Sequence, residues 1–189
     1  AAFMCALLNS QPMGFYSPSA LVQDAVRHGV QVRPLDIAIS GWECTLEELD
    51  DSGTRQPAVR LGMCMARGMR HEVAALIEDA RAIRPFDSVA DLSRRAQLDR
   101  HDLQVLAAAN ALKSLAGNRR EALWQAVGAV ADKDLLRPTT PMEEVPVLAA
   151  PREGEDIVGD YRSQGLTLGR HPLALLREQL YKKRFLPAS

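Results

Sequence analysis

The chain has 189 residues, of which 47% are apolar and 25% are charged. This apolar share suffices for a packed core, and the length suits one ordinary domain or two small ones. The formal net charge of -1 excludes the overall basic character of a histone-like DNA binder, although local basic patches remain compatible with it.

The first part of the chain predicts two helices and a short extended segment. The opening AAFMCALL reads as a helix. Ser17 is a candidate N-cap, Pro18 suits the first helical position and Gly29 follows the helix end. Residues 30–32 and 58–61 are candidate strands, and we expect them to pair as a minor two-stranded element.

From Gly62 onward the pattern is helical. Apolar residues at helical spacing predict a helix that ends before Pro85. Three further helices are indicated by the candidate N-caps Ser88, Asp99 and Asn118. Ser88 and Asn118 resemble the start of a capping box, because Asp91 and Glu121 follow them by three positions. The sequence therefore predicts four short helices in about seventy residues.

The last part of the chain predicts a linker and two ordered segments. Residues 137–151 contain four prolines among acidic and small residues, which is typical of a linker. Order is expected to resume around residues 157–161, and a last helix should follow His171 and Pro172. Asp132 and Asp134 have the spacing of polymerase metal ligands, but beside this linker we interpret them as a solvated helix end.

The segment around Gly68 is a candidate phosphate-binding hairpin. A glycine permits a turn with positive φ, and the N–H groups that open the next helix attract anions. Arg67, Arg70 and His71 would add charged contacts, and Met69 completes the turn. None of these would distinguish base sequence. An ordinary turn between two helices explains the same spacing.

A second hairpin is predicted at residues 109–113, because Asn110 readily adopts left-handed geometry. Residues 60–130 carry eleven basic and eight acidic side chains, whereas residues 1–59 carry three basic and seven acidic ones. A row of cations is therefore expected beside the hairpins, although a merely solvated face explains it equally well. The members of this row are Arg94, Arg95, Arg100, Lys113, Arg119 and Arg120.

The sequence contains no recognisable catalytic or metal-binding pattern. His28, His71, His101 and His171 lack metal-ligand spacing, and neither a phosphate loop nor a nucleophile elbow is present. Cys5, Cys44 and Cys64 are far apart and lack C-x-x-C spacing, so we expect neither a disulfide framework nor a zinc site. A reducing cytoplasm is the simplest location for such a chain, and no apolar run is long enough to cross a membrane.

Several segments resemble the error-prone branch of the bacterial C-family DNA polymerases, related to the polymerase III alpha subunit. The resemblance begins with LLNSQPMGFYSP at residues 7–18 and covers in effect the whole chain. It continues through residues 21–25, 27–30, 41–44, 58–62, 84–86, 89–92, 118–124 and 165–173.

This resemblance implies the end of the fingers region, followed by a helix-hairpin-helix pair that grips duplex DNA. It also implies that the palm, with its catalytic aspartates and magnesium, and an OB-type domain lie outside this chain. Relatives usually have glycine where Arg70 stands, which places the backbone grip of the first hairpin in question. Residues 134–138 lack the clamp-binding pattern of the replicative relatives, so direct clamp binding is not expected.

We therefore expect a mainly α fold with a minor β element and a helix-hairpin-helix architecture. The expected divisions are the fingers end at 1–57, the DNA-binding domain at 58–131, a Pro-rich acidic linker at 132–156 and a helical lead-in at 157–189. The expected function is non-catalytic binding of duplex or primer–template DNA within a translesion polymerase. The alternative is an interaction module for accessory proteins of damage-induced synthesis, with little DNA affinity. We expect no cofactor in this chain and no membrane partner.

Overall fold

The computed structural model describes residues 1–48, 56–129 and 148–185. The expected linker of residues 132–156 falls mostly outside these ranges. Asp132, Asp134 and residues 134–138, where the replicative relatives' clamp-binding pattern was not expected, also lie outside the described residues. None of the helices in the described ranges is both long and apolar enough to span a lipid bilayer.

Helices dominate the fold, as predicted. The helices of the described residues are α1 Ala2–Asn9, α2 Pro18–Arg27, α3 His71–Ile83, α4 Val89–Arg95, α5 Arg100–Ala108, α6 Lys113–Ala116, α7 Arg119–Gly128, α8 Glu153–Ser163 and α9 Pro172–Lys182. A 3-10 turn, Met63–Met65, precedes α3. Helix α8 begins at Glu153, earlier than the expected return of order near residue 157.

Local capping determines where several helices begin. The Ser17 hydroxyl accepts a hydrogen bond from Ala20 N, with Pro18 at the first helical position. Ser88 and Asn118 cap α4 and α7 in the same way. Asp99 and Asp102 form a reciprocal capping box at the start of α5. These predicted helix starts are confirmed.

The predicted pairing of residues 30–32 with residues 58–61 is confirmed. The sheet in the described residues has a third strand, however, so the expectation of only two strands was wrong. Strand β3, Ala58–Arg60, lies between β1, Val32–Arg33, and β2, Thr45–Glu47. The β1–β3 pairing is parallel and the β2–β3 pairing is antiparallel. Each strand has only two or three residues, too few for an alternating pattern to reveal β2.

An ion-pair cluster joins the three strands. Glu47 Oε2 lies 2.6 Å from Arg33 Nη1, and Glu47 Oε1 lies 2.8 Å from Arg60 Nε. The hydrogen bond from Arg60 and that from Arg33 lower the pKa of Glu47. The sheet spans the expected domain boundary at residue 57, because β3 follows this boundary and both strands that pair with it precede it.

One hydrophobic core runs beneath the sheet and the helices that follow it. Leu103 and Leu106 of α5 are fully buried, as are Ile77 of α3 and Leu92 of α4. Helix α5 packs against α7 and α8. This packing positions the turns before α3 and after α5, where the two hairpins were predicted.

Candidate nucleic-acid interface

The first hairpin has the geometry that its glycine predicted. Gly68 adopts φ +88°, and Met69 N donates to Ala66 O at 3.0 Å to close the turn. A Cβ at Gly68 would lie 3.4 Å from Val105 Cγ2 and 3.9 Å from His101 Nε2. The turn therefore rests on α5, in a conformation that a residue with a side chain adopts only under strain.

Helix α3 opens directly after this turn. Of the side chains that the structure describes, none caps its N-terminus. The first N–H groups of a 13-residue helix are consequently available to an anion, with the positive end of the helix dipole behind them. Arg70 precedes the helix with φ -105° and ψ 140°, which any residue adopts. An arginine at this position therefore leaves the turn intact.

The Arg70 side chain, in contrast, is engaged within the protein. Its Nη2 donates to both carboxylate oxygens of Asp102, at 2.8 and 2.9 Å, and to Asp99 at 3.3 Å. Asp102 is buried, whereas about half of the Arg70 side chain is exposed. Arg70 thus joins the first hairpin to the start of α5, and its contact with phosphate stays a prediction.

Arg67 is also held by an intramolecular partner. Its backbone N–H donates to Ser163 O at 2.8 Å, and its Nη1 donates to Arg162 O at 3.3 Å. These carbonyls belong to the last turn of α8, where the helix dipole favours a cation. Arg67 therefore fastens the first hairpin to α8, while its side chain remains exposed.

The second hairpin is present where Asn110 predicted it. Asn110 adopts φ +58°, and Ala111 N donates to Leu106 O at 2.9 Å, which ends α5 with a left-handed turn. Gln164 Nε2 donates to Ala109 O at 3.0 Å. Since Arg67 binds Ser163, both hairpins contact the same end of α8. The sequence held no signal for this shared contact.

Two members of the expected cation row are turned to partners within the protein, Arg119 buried and Arg95 mostly buried, so that part of the expectation was wrong. Arg95 donates to the carbonyls of Ala80, Arg84 and Pro85 and lies 4.8 Å from the centre of the Phe86 ring. Arg119 is buried and pairs with Asp156 and Asp160 on α8. Buried guanidinium groups need such partners. Arg95 finds them in carbonyls at the end of α3, and Arg119 finds them in two carboxylates of α8.

Arg94 and Arg120 are more exposed but also paired. Arg94 Nη2 donates to Asp91 Oδ1 at 2.9 Å, and Arg120 bonds Ala149 O and Glu155. Burial alone would raise the pKa of Asp91, but hydrogen bonds from Arg94 and Arg95 outweigh it and bring this pKa to about 2. Asp91 is thus the centre of an arginine cluster that holds α4 against the end of α3.

Arg100 and Lys113 keep the character expected of phosphate-binding cations. Both are exposed, and within the described ranges neither makes an ion pair. Arg100 opens α5, and Lys113 opens α6 directly after the second hairpin. His71 at the start of α3 is exposed and packs edge-on against Trp42, with ring centres 5.0 Å apart.

The described residues provide no metal centre. No three His, Cys, Asp or Glu side chains in the described ranges lie together in an arrangement suited to a metal ion. Around the two hairpins, the described residues instead present the left-handed turns at Gly68 and Asn110, the uncapped N-terminus of α3, and the cations Arg100 and Lys113 without ion-pair partners in the described ranges. Such a surface suits the backbone of a nucleic acid more than a small reactive substrate.

The region that contains the two hairpins is similar to a known motif, and the whole chain is similar to known proteins. The family model of the helix-hairpin-helix motif matches residues 29–122, which include both turns. Over 189 residues the chain is 56% identical to the error-prone DNA polymerase of Bordetella parapertussis. It is 52% identical to that of Azoarcus sp. over 190 residues and 51% identical to that of Alkalilimnicola ehrlichii over 189.

Each of these alignments covers the whole chain but only 18% of the relative. The resemblance to error-prone polymerases is therefore confirmed, for one segment of them. Along its whole length the chain is similar to one segment of error-prone DNA polymerases, and residues 29–122 of this segment match the helix-hairpin-helix motif.

Proposed function

We propose that this chain binds duplex DNA through its phosphates, as a non-catalytic part of an error-prone polymerase. The observation that carries the proposal is the uncapped N-terminus of α3 beside the left-handed turn at Gly68. Backbone N–H groups in this arrangement bind phosphate without reading the bases. The match to the helix-hairpin-helix motif supports the same assignment.

The charged contacts are proposed to come mainly from Arg100 and Lys113. These two side chains are exposed and unpaired in the described part of the chain, unlike Arg95 and Arg119. Arg67 and Arg70 keep exposed guanidinium groups and would act as secondary contacts. With so few contacts the affinity of the chain alone is weak, and connection to further DNA-binding domains would raise it.

The activity proposed for the whole protein is DNA-directed nucleotidyl transfer during damage-induced translesion synthesis. Magnesium would be held by the aspartates of a palm domain, which the resemblance to these polymerases places outside this chain. The whole protein is further proposed to be recruited by accessory proteins of damage-induced synthesis and to act in a reducing cytoplasm. The free thiols of Cys5, Cys44 and Cys64 are compatible with such a location.

A salt series tests DNA binding by this chain. The anisotropy of a labelled primer–template duplex is measured against the chain and against a variant with both Arg100→Ala and Lys113→Ala. Loss of each phosphate contact should reduce the slope of log affinity against log salt by about 1. The matched control is Arg177→Ala, an exposed cation of α9, which should leave the slope unchanged.

A duplex of scrambled sequence should bind equally well, since no side chain of the proposed site reads base edges. Absence of binding at low salt would contradict the proposal. A double variant with the same salt slope as Arg177→Ala would also contradict the proposal.

An interaction module is the second candidate function. An apolar groove of about 490 Å³ lies between α8 and α9, lined by Ile157, Val158, Tyr161, Leu175 and Leu176 among others. Helix α9 has no buried residue. Exposed apolar surface of this kind is typical of a protein-binding site. If the chain fails to bind DNA at low salt, this candidate takes precedence.

A further inference from the structure

Three cysteines that are far apart in the sequence lie together beside the first hairpin. Cys5 Sγ donates to Cys44 O at 3.1 Å. Gly62 N donates to Cys44 Sγ at 3.4 Å, and Gly62 lies two residues before Cys64. The sequence spacing gave no sign of this cluster. The contact brings the Cys44 thiol against the segment that carries Cys64.

The backbone keeps Cys44 and Cys64 together. Met63 N donates to Gly41 O at 2.8 Å, and Cys64 N donates to Trp42 O at 2.9 Å. A Cβ at Gly62 would lie 2.3 Å from the carbonyl carbon of Glu43, so only glycine permits this approach. The two cysteines therefore lie on adjoining segments that hydrogen bonds already join.

The three thiols differ in accessibility and acidity. Cys64 is half-buried, whereas Cys5 and Cys44 are buried. The hydrogen bond from Cys44 lowers the pKa of Cys64, although burial opposes this. The same hydrogen bond, together with burial, raises the pKa of Cys44, and burial raises that of Cys5. Since the thiolate is the nucleophile, Cys64 is the thiol best suited to react.

We propose that Cys64 is an oxidation site for hydroperoxides and that Cys44 is its resolving thiol. The Cys64 thiolate attacks one oxygen of the peroxide and the O–O bond breaks. This forms a sulfenic acid, while the other oxygen leaves as alkoxide or hydroxide and takes up a proton. Cys44 then loses its proton and attacks the Cys64 sulfur. The S–O bond breaks, and the leaving hydroxide takes up a proton to form water. The peroxide is reduced by two electrons, and the two thiols become one disulfide.

This disulfide would join the segment before β2 to the 3-10 turn that leads into the first hairpin. Trp42 lies on the first of these segments and contacts His71 at the start of α3. The thiol pair thus lies next to the surface proposed to bind DNA. The oxidation itself does not depend on that proposed function.

Peptide mapping of the whole chain tests the proposal directly. The chain is exposed to hydrogen peroxide, blocked with N-ethylmaleimide and digested with trypsin without reductant. Each cysteine lies on its own tryptic peptide, residues 1–27, 28–55 and 61–67, because trypsin does not cut the Arg33–Pro34 bond. The expected product links peptides 28–55 and 61–67, with Cys5 carrying maleimide.

Three results of this map would overturn the proposal: a link from Cys5 to either other cysteine, a link between two copies of the chain, or sulfinic acid without any link. The map needs no substitution, so its result does not depend on whether a variant folds.

Three variants then assign the roles. Cys44→Ser should accumulate a sulfenic acid on Cys64 that dimedone captures, with no crosslink. Cys64→Ser should slow the oxidation of Cys44 by at least about tenfold, since the buried thiol with the raised pKa must then react alone. Cys5→Ser, the matched control, should crosslink as the unchanged chain does. Equal rates of Cys44 oxidation in the unchanged chain and in Cys64→Ser would contradict the assignment of Cys64.

Discussion

Arg70 Nη2 lies 2.8 Å from Oδ1 of Asp102, and this ion pair ties the first hairpin to the start of α5. Asp102 is buried and also accepts a hydrogen bond from Asp99 N at 3.2 Å, which completes the capping box. One carboxylate therefore sets both the start of α5 and the position of the turn that precedes α3.

Replacing Asp102 tests this double role. Asp102→Ala should lower the free energy of unfolding by about 1–3 kcal/mol, because a buried carboxylate with charged partners is lost together with half of a capping box. Urea unfolding followed by circular dichroism measures the change. The matched control is Asp87→Asn, which removes an exposed partner of Arg84 and should leave the unfolding midpoint nearly unchanged. Equal effects of the two substitutions would contradict the role of Asp102.

Arg119 is expected to hold α8 against α7. Its side chain is 8% exposed and pairs with Asp156 and Asp160. Arg119→Met should leave two carboxylates without their cation and weaken the docking of α8 by about 2 kcal/mol, which corresponds to about thirtyfold faster amide exchange. Hydrogen exchange monitored by mass spectrometry would show the change in residues 153–163 first.

Arg120 provides the control for that measurement. It is a neighbour on the same helix, and its pair with Glu155 is exposed on both sides. Arg120→Met should change exchange in α8 by less than about threefold, as surface ion pairs contribute little. If Arg119→Met leaves α8 as protected as Arg120→Met does, the buried pair does not hold this helix.

Asp91 should make the fold sensitive to acid. Its pKa falls from 3.8 to about 2 in the folded chain, because hydrogen bonds from Arg94 and Arg95 overcome the effect of burial. A folded pKa below the unfolded value stabilises the protein above about pH 4, and this contribution is lost as pH falls through 2. Urea midpoints measured from pH 5 to pH 2 should show the loss.

Asp91→Asn isolates this contribution from that of other carboxylates. The variant should be less stable than the unchanged chain at pH 5, and the difference should shrink as pH falls towards 2. A difference that stays constant with pH would mean that the lowered pKa of Asp91 does not contribute.

Gly68 should matter more for DNA binding than for stability. Gly68→Ala places a side chain at φ +88° and 3.4 Å from Val105, at a cost of about 1 kcal/mol. A turn displaced by a few tenths of an ångström no longer aims the α3 N–H groups at a phosphate, so duplex affinity should fall beyond what unfolding explains. Anisotropy and urea unfolding, measured on the same preparation, separate the two effects.

The matched control for Gly68 is Gly128 at the end of α7. A Cβ there meets no heavy atom within 4 Å, and Gly128→Ala should raise stability by about 0.5 kcal/mol. Its DNA binding should equal that of the unchanged chain. Loss of DNA binding by both variants would show that the effect of Gly68→Ala is not specific to the turn at Gly68.

Local chemistry explains what could be predicted about the fold. Ser17, Ser88, Asp99 and Asn118 each satisfy a backbone N–H two or three residues further on, so the helix starts follow from neighbours in the chain. Gly68 and Asn110 similarly predict left-handed turns, because both residue types adopt positive φ readily. Strand β2 escaped prediction, because its place in the sheet depends on Arg33 and Arg60, thirteen or fourteen residues away from Glu47.

By itself the sequence determined the starts of α2, α4, α5 and α7, the two hairpin turns and the resemblance to error-prone polymerases. Only the tertiary structure decided which arginine side chains face solvent and which form contacts inside the protein. Arg95, Arg100 and Arg119 have the same side chain, yet helix packing places carboxylates or backbone carbonyls of other helices beside Arg95 and Arg119 and, within the described residues, no ion-pair partner beside Arg100. The free energy of a buried charged group depends on partners that come from distant parts of the chain. The spacing of residues in the sequence does not show which distant residues lie beside each other in the fold. The meeting of Cys44 and Cys64 across Gly62 has the same physical origin.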